Sequence, residues 1–164
     1  MHSKVKLAGH PIHPMLVAYP IVLYTATLVC YIVYSSNHDV FWFKVAYVAN
    51  ISGVIMAVVA ALPGFIDWLH IPSDSRAKKT GFFHLVSNVI ALILFALCFF
   101  LQKDKWNDSS PTTGLAIPLA LGGFLLTSIA GFLGWTLLQK HHVGIDPFTE
   151  DEKKLGITEK QTSK

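Results

Sequence analysis

The stretch Met15 to Tyr34, MLVAYPIVLYTATLVCYIVY, contains no Lys, Arg, Asp or Glu. As a helix rising 1.5 Å per residue, a run of about 20 residues covers about 30 Å, the hydrocarbon thickness of a bilayer. Three more uncharged runs follow at Val45 to Ile66, Phe82 to Leu101 and Leu115 to Leu138. Four such runs predict an all-α fold, a four-helix transmembrane bundle. The whole chain agrees, because 164 residues with 52% hydrophobic and 14% charged content fall well below the roughly 25% charge of soluble domains. Four spans occupy roughly 85 residues, so the expected organisation is a four-span domain over 1–142 and a short soluble tail over 143–164.

Gly122, Gly123, Gly131 and Gly134 in the fourth run are small residues of the kind that let membrane helices approach closely. Pro20, Pro63 and Pro118 are tolerated in such helices, with a kink expected at Pro63-Gly64. Cys30 and Cys98 lie inside spans, where packing is the expected role. The segment MHSKVKLAGHPIHP starts with basic residues, but His and Pro interrupt the place where the apolar core of a signal peptide begins. No cleaved signal is expected. No internal repeat is evident.

An even number of spans places both termini and the loop from Asp67 to Gly81 on one side. That side carries Lys4, Lys6, Arg76, Lys78, Lys79, Lys140, Lys153 and Lys154, against Lys44, Lys103 and Lys105 on the other. The excess predicts cytoplasmic termini by the positive-inside rule. The net charge of +3 is too small and too unevenly placed to suggest nucleic acid as a partner.

Histidine is the commonest metal ligand and titrates near neutral pH, and six of the eight histidines fall on that same side. His10 and His13 precede span one, His70 follows span two, His84 opens span three, and His141 and His142 follow span four. Asp67 ends span two. His84 lies five residues past Lys79, about 7 Å into the membrane, with Asn88 one turn deeper on the same face. Polar groups at such depth face the bundle interior. Each helix is therefore expected to bring a potential ligand to one layer.

The motifs GHPIHP (Gly9 to Pro14), LPGFIDW (Leu62 to Trp68), TGFFHLVSN (Thr80 to Asn88) and HHVGID (His141 to Asp146) resemble, in this order, the bacterial membrane family called domain of unknown function 2231. The resemblance implies a four-helix membrane domain, joined in some members to a Rieske-type iron–sulfur domain, and so hints at electron transfer. It marks His10, His13, Asp67, His84 and His142 as functional positions. His70 and His141 fit no pattern of the family, and the chain has no Rieske cysteines.

The expected function is a redox site at the cytoplasmic helix ends. The candidate metal ligands are His10, His13, Asp67, His84 and His142, holding iron, copper or zinc. If the cofactor is haem b, the axial candidates are His84 with His13 or His142, with the span-four glycines making room for the ring. Quinone or a redox partner protein is the expected electron partner, and a homo-oligomer is possible in such a bundle. The alternatives are a proton or ion pathway with His and Asp as relays, and a structural subunit whose polar layer locks the helices. No nucleophile elbow, phosphate loop or HExxH pattern supports a hydrolase or nucleotide enzyme.

Overall fold

The computed structural model describes residues 3–144; the expected tail lies, beyond Gly144, outside the described residues. Two short strands, β1 (Lys6–Leu7) and β2 (His10–Pro11), pair antiparallel around a turn in which Ala8 and Gly9 have positive φ. A single turn, α1 (Ile12–Leu16), leads into α2 (Ala18–Asn37). The long helices α3 (Val40–Leu69), α4 (Arg76–Gln102) and α5 (Ala116–His141) follow. Four segments, Ile12–Asn37, Val40–Leu69, Arg76–Lys105 and Ala116–His141, are long and apolar enough to cross a membrane. They extend beyond the uncharged runs because interfacial residues continue each helix.

The helix ends follow local chemistry. His38, left-handed at φ 57°, ends α2, and the Asp39 carboxylate then accepts from Phe41 N at 2.9 Å to start α3. The Ser75 hydroxyl caps α4 by accepting from Lys78 N at 3.1 Å. These side chains satisfy amides that a helix leaves without intrahelical partners. Pro63 lies inside α3, which continues through it as one helix.

Helix α2 packs beside α3 and α5, and α4 beside α5 and α3. Thus α2 faces α4, and α3 faces α5, across the diagonals of a four-membered ring. On the α2–α4 diagonal, Tyr24 and Phe95 stack with centroids 3.7 Å apart and planes 3° from parallel.

The two hairpins are built alike. Four rings on α1, α2 and α4 sit over glycines of their own hairpins: His13 over Gly64, Tyr24 over Gly53, His84 over Gly134 and Phe95 over Gly123. A methyl group at Gly53 would stand 2.8 Å from the Tyr24 ring, and one at Gly123 2.5 Å from Phe95. The offset is 71 residues for His13 to His84 and for Tyr24 to Phe95. It is 70 for Gly53 to Gly123, Ala60 to Ala130 and Gly64 to Gly134. The chain is thus an internal repeat of two parallel hairpins about a pseudo-twofold axis, an arrangement known among membrane proteins. This corrects the sequence expectation of no repeat. The shared positions are mostly Gly and Ala, which stand out little in membrane spans, while the rings they seat differ in type.

Candidate functional site

On the bundle axis, His13 and His84 meet with ring centroids 6.1 Å apart and planes at 88°. Each is anchored by the opposite helix of its own hairpin. His13 Nδ1 lies 2.8 Å from Ala60 O, and His84 Nδ1 lies 2.8 Å from Ala130 O. A carbonyl can only accept, so both Nδ1 atoms carry the proton and both Nε2 atoms present a lone pair. Pro63 lacks the N–H that would bond the Val59 carbonyl, which loosens α3 beside the Ala60 carbonyl that His13 uses. Gly64 and Gly134 leave the space that the imidazoles fill: a methyl at either would stand 2.6 Å and 3.1 Å from the respective ring.

The next inward positions are small in both halves: Pro20 and Ala91 are buried, and so is Thr127, with Ala57 half-buried. They are repeat equivalents in pairs, Pro20 with Ala91 and Ala57 with Thr127. Below them the Tyr24–Phe95 stack forms a floor, seven residues along α3 and α5 from the histidine anchors, or about 10 Å. Asn88, one turn after His84, donates from Nδ2 to His84 O at 2.9 Å and to His84 Nε2 at 3.2 Å.

The other expected ligands do other work. Asp67 accepts from Ser3 Oγ at 2.7 Å and Lys4 N at 2.6 Å, so its carboxylate latches the N-terminal strap instead of facing the pair. Ser3, which is 6% exposed, lies 64 residues from its partner, and no local pattern marks it. His10 is exposed in β2 opposite Leu7. His142 closes α5 in a left-handed conformation, φ 49°, its N–H donating to Leu137 O. His141 Nε2 lies 3.4 Å from Thr80 Oγ1, and His70 Nδ1 lies 2.8 Å from Ile66 O. Among the described residues, no group of three or more His, Cys, Asp or Glu is disposed to hold a metal ion. Of the expected layer, the structure brings the rings of His13 and His84 together.

The span-four glycines also differ from expectation. Gly123 and Gly134 seat Phe95 and His84, Gly122 faces Leu94, and Gly131 points outward with nothing within 4 Å of where a Cβ would stand. The layer beneath the pair is made of the small residues Pro20, Ala57 and Ala91 with Thr127, which sequence reading missed. Trp68 of LPGFIDW serves the interface: its Nε1 donates to Lys78 O at 3.3 Å, while Lys78 Nζ donates to Trp68 O at 2.8 Å and lies 3.9 Å from the ring centroid.

The fold and the pair define a four-span helical membrane protein with two inward imidazoles at one end of its axis. Residues 9–147 match the family described as a predicted membrane protein (DUF2231). The chain belongs to that family, as the motifs from GHPIHP onward imply. No curated protein and no solved structure matches it.

Proposed function

We propose that the protein is an electron-transfer subunit of the bacterial cytoplasmic membrane, with one b-type haem held between His13 and His84 at the cytoplasmic end. The observation that carries this reading is the geometry of the pair. Two imidazoles sharing one metal through Nε2, with metal–nitrogen bonds of about 2.0–2.1 Å and roughly 1.1 Å from nitrogen to centroid, have centroids roughly 6.3 Å apart. The observed separation is 6.1 Å.

The donor set selects the class of cofactor. A protein-bound zinc or non-haem iron ion takes three or four protein ligands, and among the described residues no third His, Cys, Asp or Glu joins this pair. Haem needs only two, because its macrocycle supplies the other four nitrogens, and it provides a one-electron iron couple tuned by axial ligands and burial. Ala57 and Ala60 on α3 and Thr127 and Ala130 on α5 are the short side chains that would flank such a group. The chain's own part is to fix both imidazoles as Nδ1–H tautomers through Ala60 O and Ala130 O, which orients the rings and strengthens Nε2 as a donor. The apolar walls and the Tyr24–Phe95 floor keep water and protons from the rest of the span. Electrons are exchanged with a quinone in the bilayer or a redox protein at the cytoplasmic surface.

The test is an optical spectrum of the purified protein with haem and metal analysis. The expected result is a six-coordinate Soret band at one haem per chain, replaced by that of a weaker single-histidine site in His13→Ala and in His84→Ala and unchanged in His10→Ala and His142→Ala. A spectrum with no Soret band after growth with ample iron and haem precursor overturns the reading.

A further inference from the structure

The two halves match in their histidine anchors and differ at Nε2. The His13 lone pair accepts no hydrogen bond from a described residue, whereas the His84 lone pair accepts one from Asn88 Nδ2 at 3.2 Å. The same amide gives its second hydrogen to His84 O at 2.9 Å. With an offset of 71, the residue equivalent to Asn88 in the first hairpin is Val17, which has no side-chain donor. Both positions are half-buried and lie one turn beyond their histidine. The duplication has therefore put a competitor for the lone pair beside one ligand only.

Building on the histidine-pair reading of Proposed function, we infer that Asn88 is a positioning residue that makes the two axial ligands unequal. Ligation through His13 Nε2 would displace no hydrogen bond from a described residue, whereas ligation through His84 Nε2 would compete with Asn88 Nδ2, which its second bond to His84 O holds in place. The competing bond is between neutral groups, so it weakens the His84 contribution by the factor one such bond represents, about fivefold in binding constant. Asn88 also keeps an empty His84 hydrogen-bonded and oriented.

The experiment titrates the purified apoprotein with ferric haem and compares dissociation constants for Asn88→Val, which copies the first hairpin, in three backgrounds. Against wild type and against His13→Ala, Asn88→Val tightens binding about fivefold. Against His84→Ala it changes nothing, since the competed nitrogen is gone. The inference is overturned by equal affinity with and without Asn88→Val in the His13→Ala background, or by the same tightening in the His84→Ala background. The latter is what a merely structural asparagine gives. Asn88→Ala provides a second variant if the valine protein does not fold, with the same expected pattern, and the melting temperature of each apoprotein is recorded alongside. If wild type itself takes up no haem, the histidine-pair reading fails; if it does and Asn88→Val is silent, only this inference fails.

Discussion

The two ends of the bundle use polar side chains in opposite ways. At the far end, several polar groups finish on backbone, although Gln102 Oε1 and Tyr31 Oη are buried with no hydrogen-bond partner among the described residues. Gln102 Nε2 donates to Thr113 O at 2.9 Å, Tyr34 Oη donates to Pro111 O at 2.5 Å and Cys98 Sγ donates to Ala116 O at 3.7 Å. Asn50, 1% exposed, bridges α3 to α4 with its amide assigned to donate to Phe95 O and accept from Phe99 N, both at 3.2 Å. Around them Tyr31, Phe43 and Phe95 are fully buried. At the histidine end the anchors also reach backbone, but each imidazole has a second nitrogen: that of His84 accepts from Asn88 Nδ2 at 3.2 Å, and that of His13 accepts from no described residue. The residues beneath are small. The far end uses its polarity mostly to hold helices together, while the near end brings two imidazoles face to edge.

That contrast can be broken at either end. The largest expected effect is at the pair: His13→Ala or His84→Ala removes the six-coordinate haem spectrum while the apoprotein melts close to wild type, read by absorbance and by thermal unfolding in detergent. Gly64→Ala belongs with them, because its methyl would stand 2.6 Å from the His13 ring and push the imidazole off the axis; the spectrum shifts to that of a single-histidine site. Next is Gly123→Ala, whose methyl meets Phe95 at 2.5 Å. Overpacking there costs about 1–3 kcal/mol, and the folded fraction retains its haem spectrum. Asn50→Leu removes the α3–α4 bridge, for a loss of about 1 kcal/mol on the scale of hydrogen bonds between membrane helices, again without changing the spectrum. The smallest effect is Asp67→Asn, which loosens the strap by under about 1 kcal/mol and leaves haem bound. Loss of haem in Asp67→Asn at full stability would return the carboxylate to the site and contradict the geometry described above.

Much of the near end was legible because charge and hydropathy fix depth. The uncharged runs located the spans, and the distance of His84 from Lys79 put it inside the membrane beside Asn88. What could not be read was lateral placement. Nothing local tells that His13 and His84 are diagonal while Asp67, at similar depth, turns to Ser3 and Lys4 at the start of the chain. The repeat was hidden for a related reason: its signal is the recurrence of Gly53, Ala60 and Gly64 at Gly123, Ala130 and Gly134, and small residues become informative only once the rings above them are known. The far layer was underestimated because Asn50 and Gln102 look isolated in sequence, and their partners are backbone atoms on other helices or loops.

The most direct test of the shared centre is electron paramagnetic resonance of the ferric protein at low temperature, since the axial imidazole planes govern the anisotropy of low-spin haem. Planes at 88° predict one strongly anisotropic low-spin signal per chain, abolished in both histidine variants. A high-spin signal, or a low-spin signal that survives His13→Ala, would contradict the account.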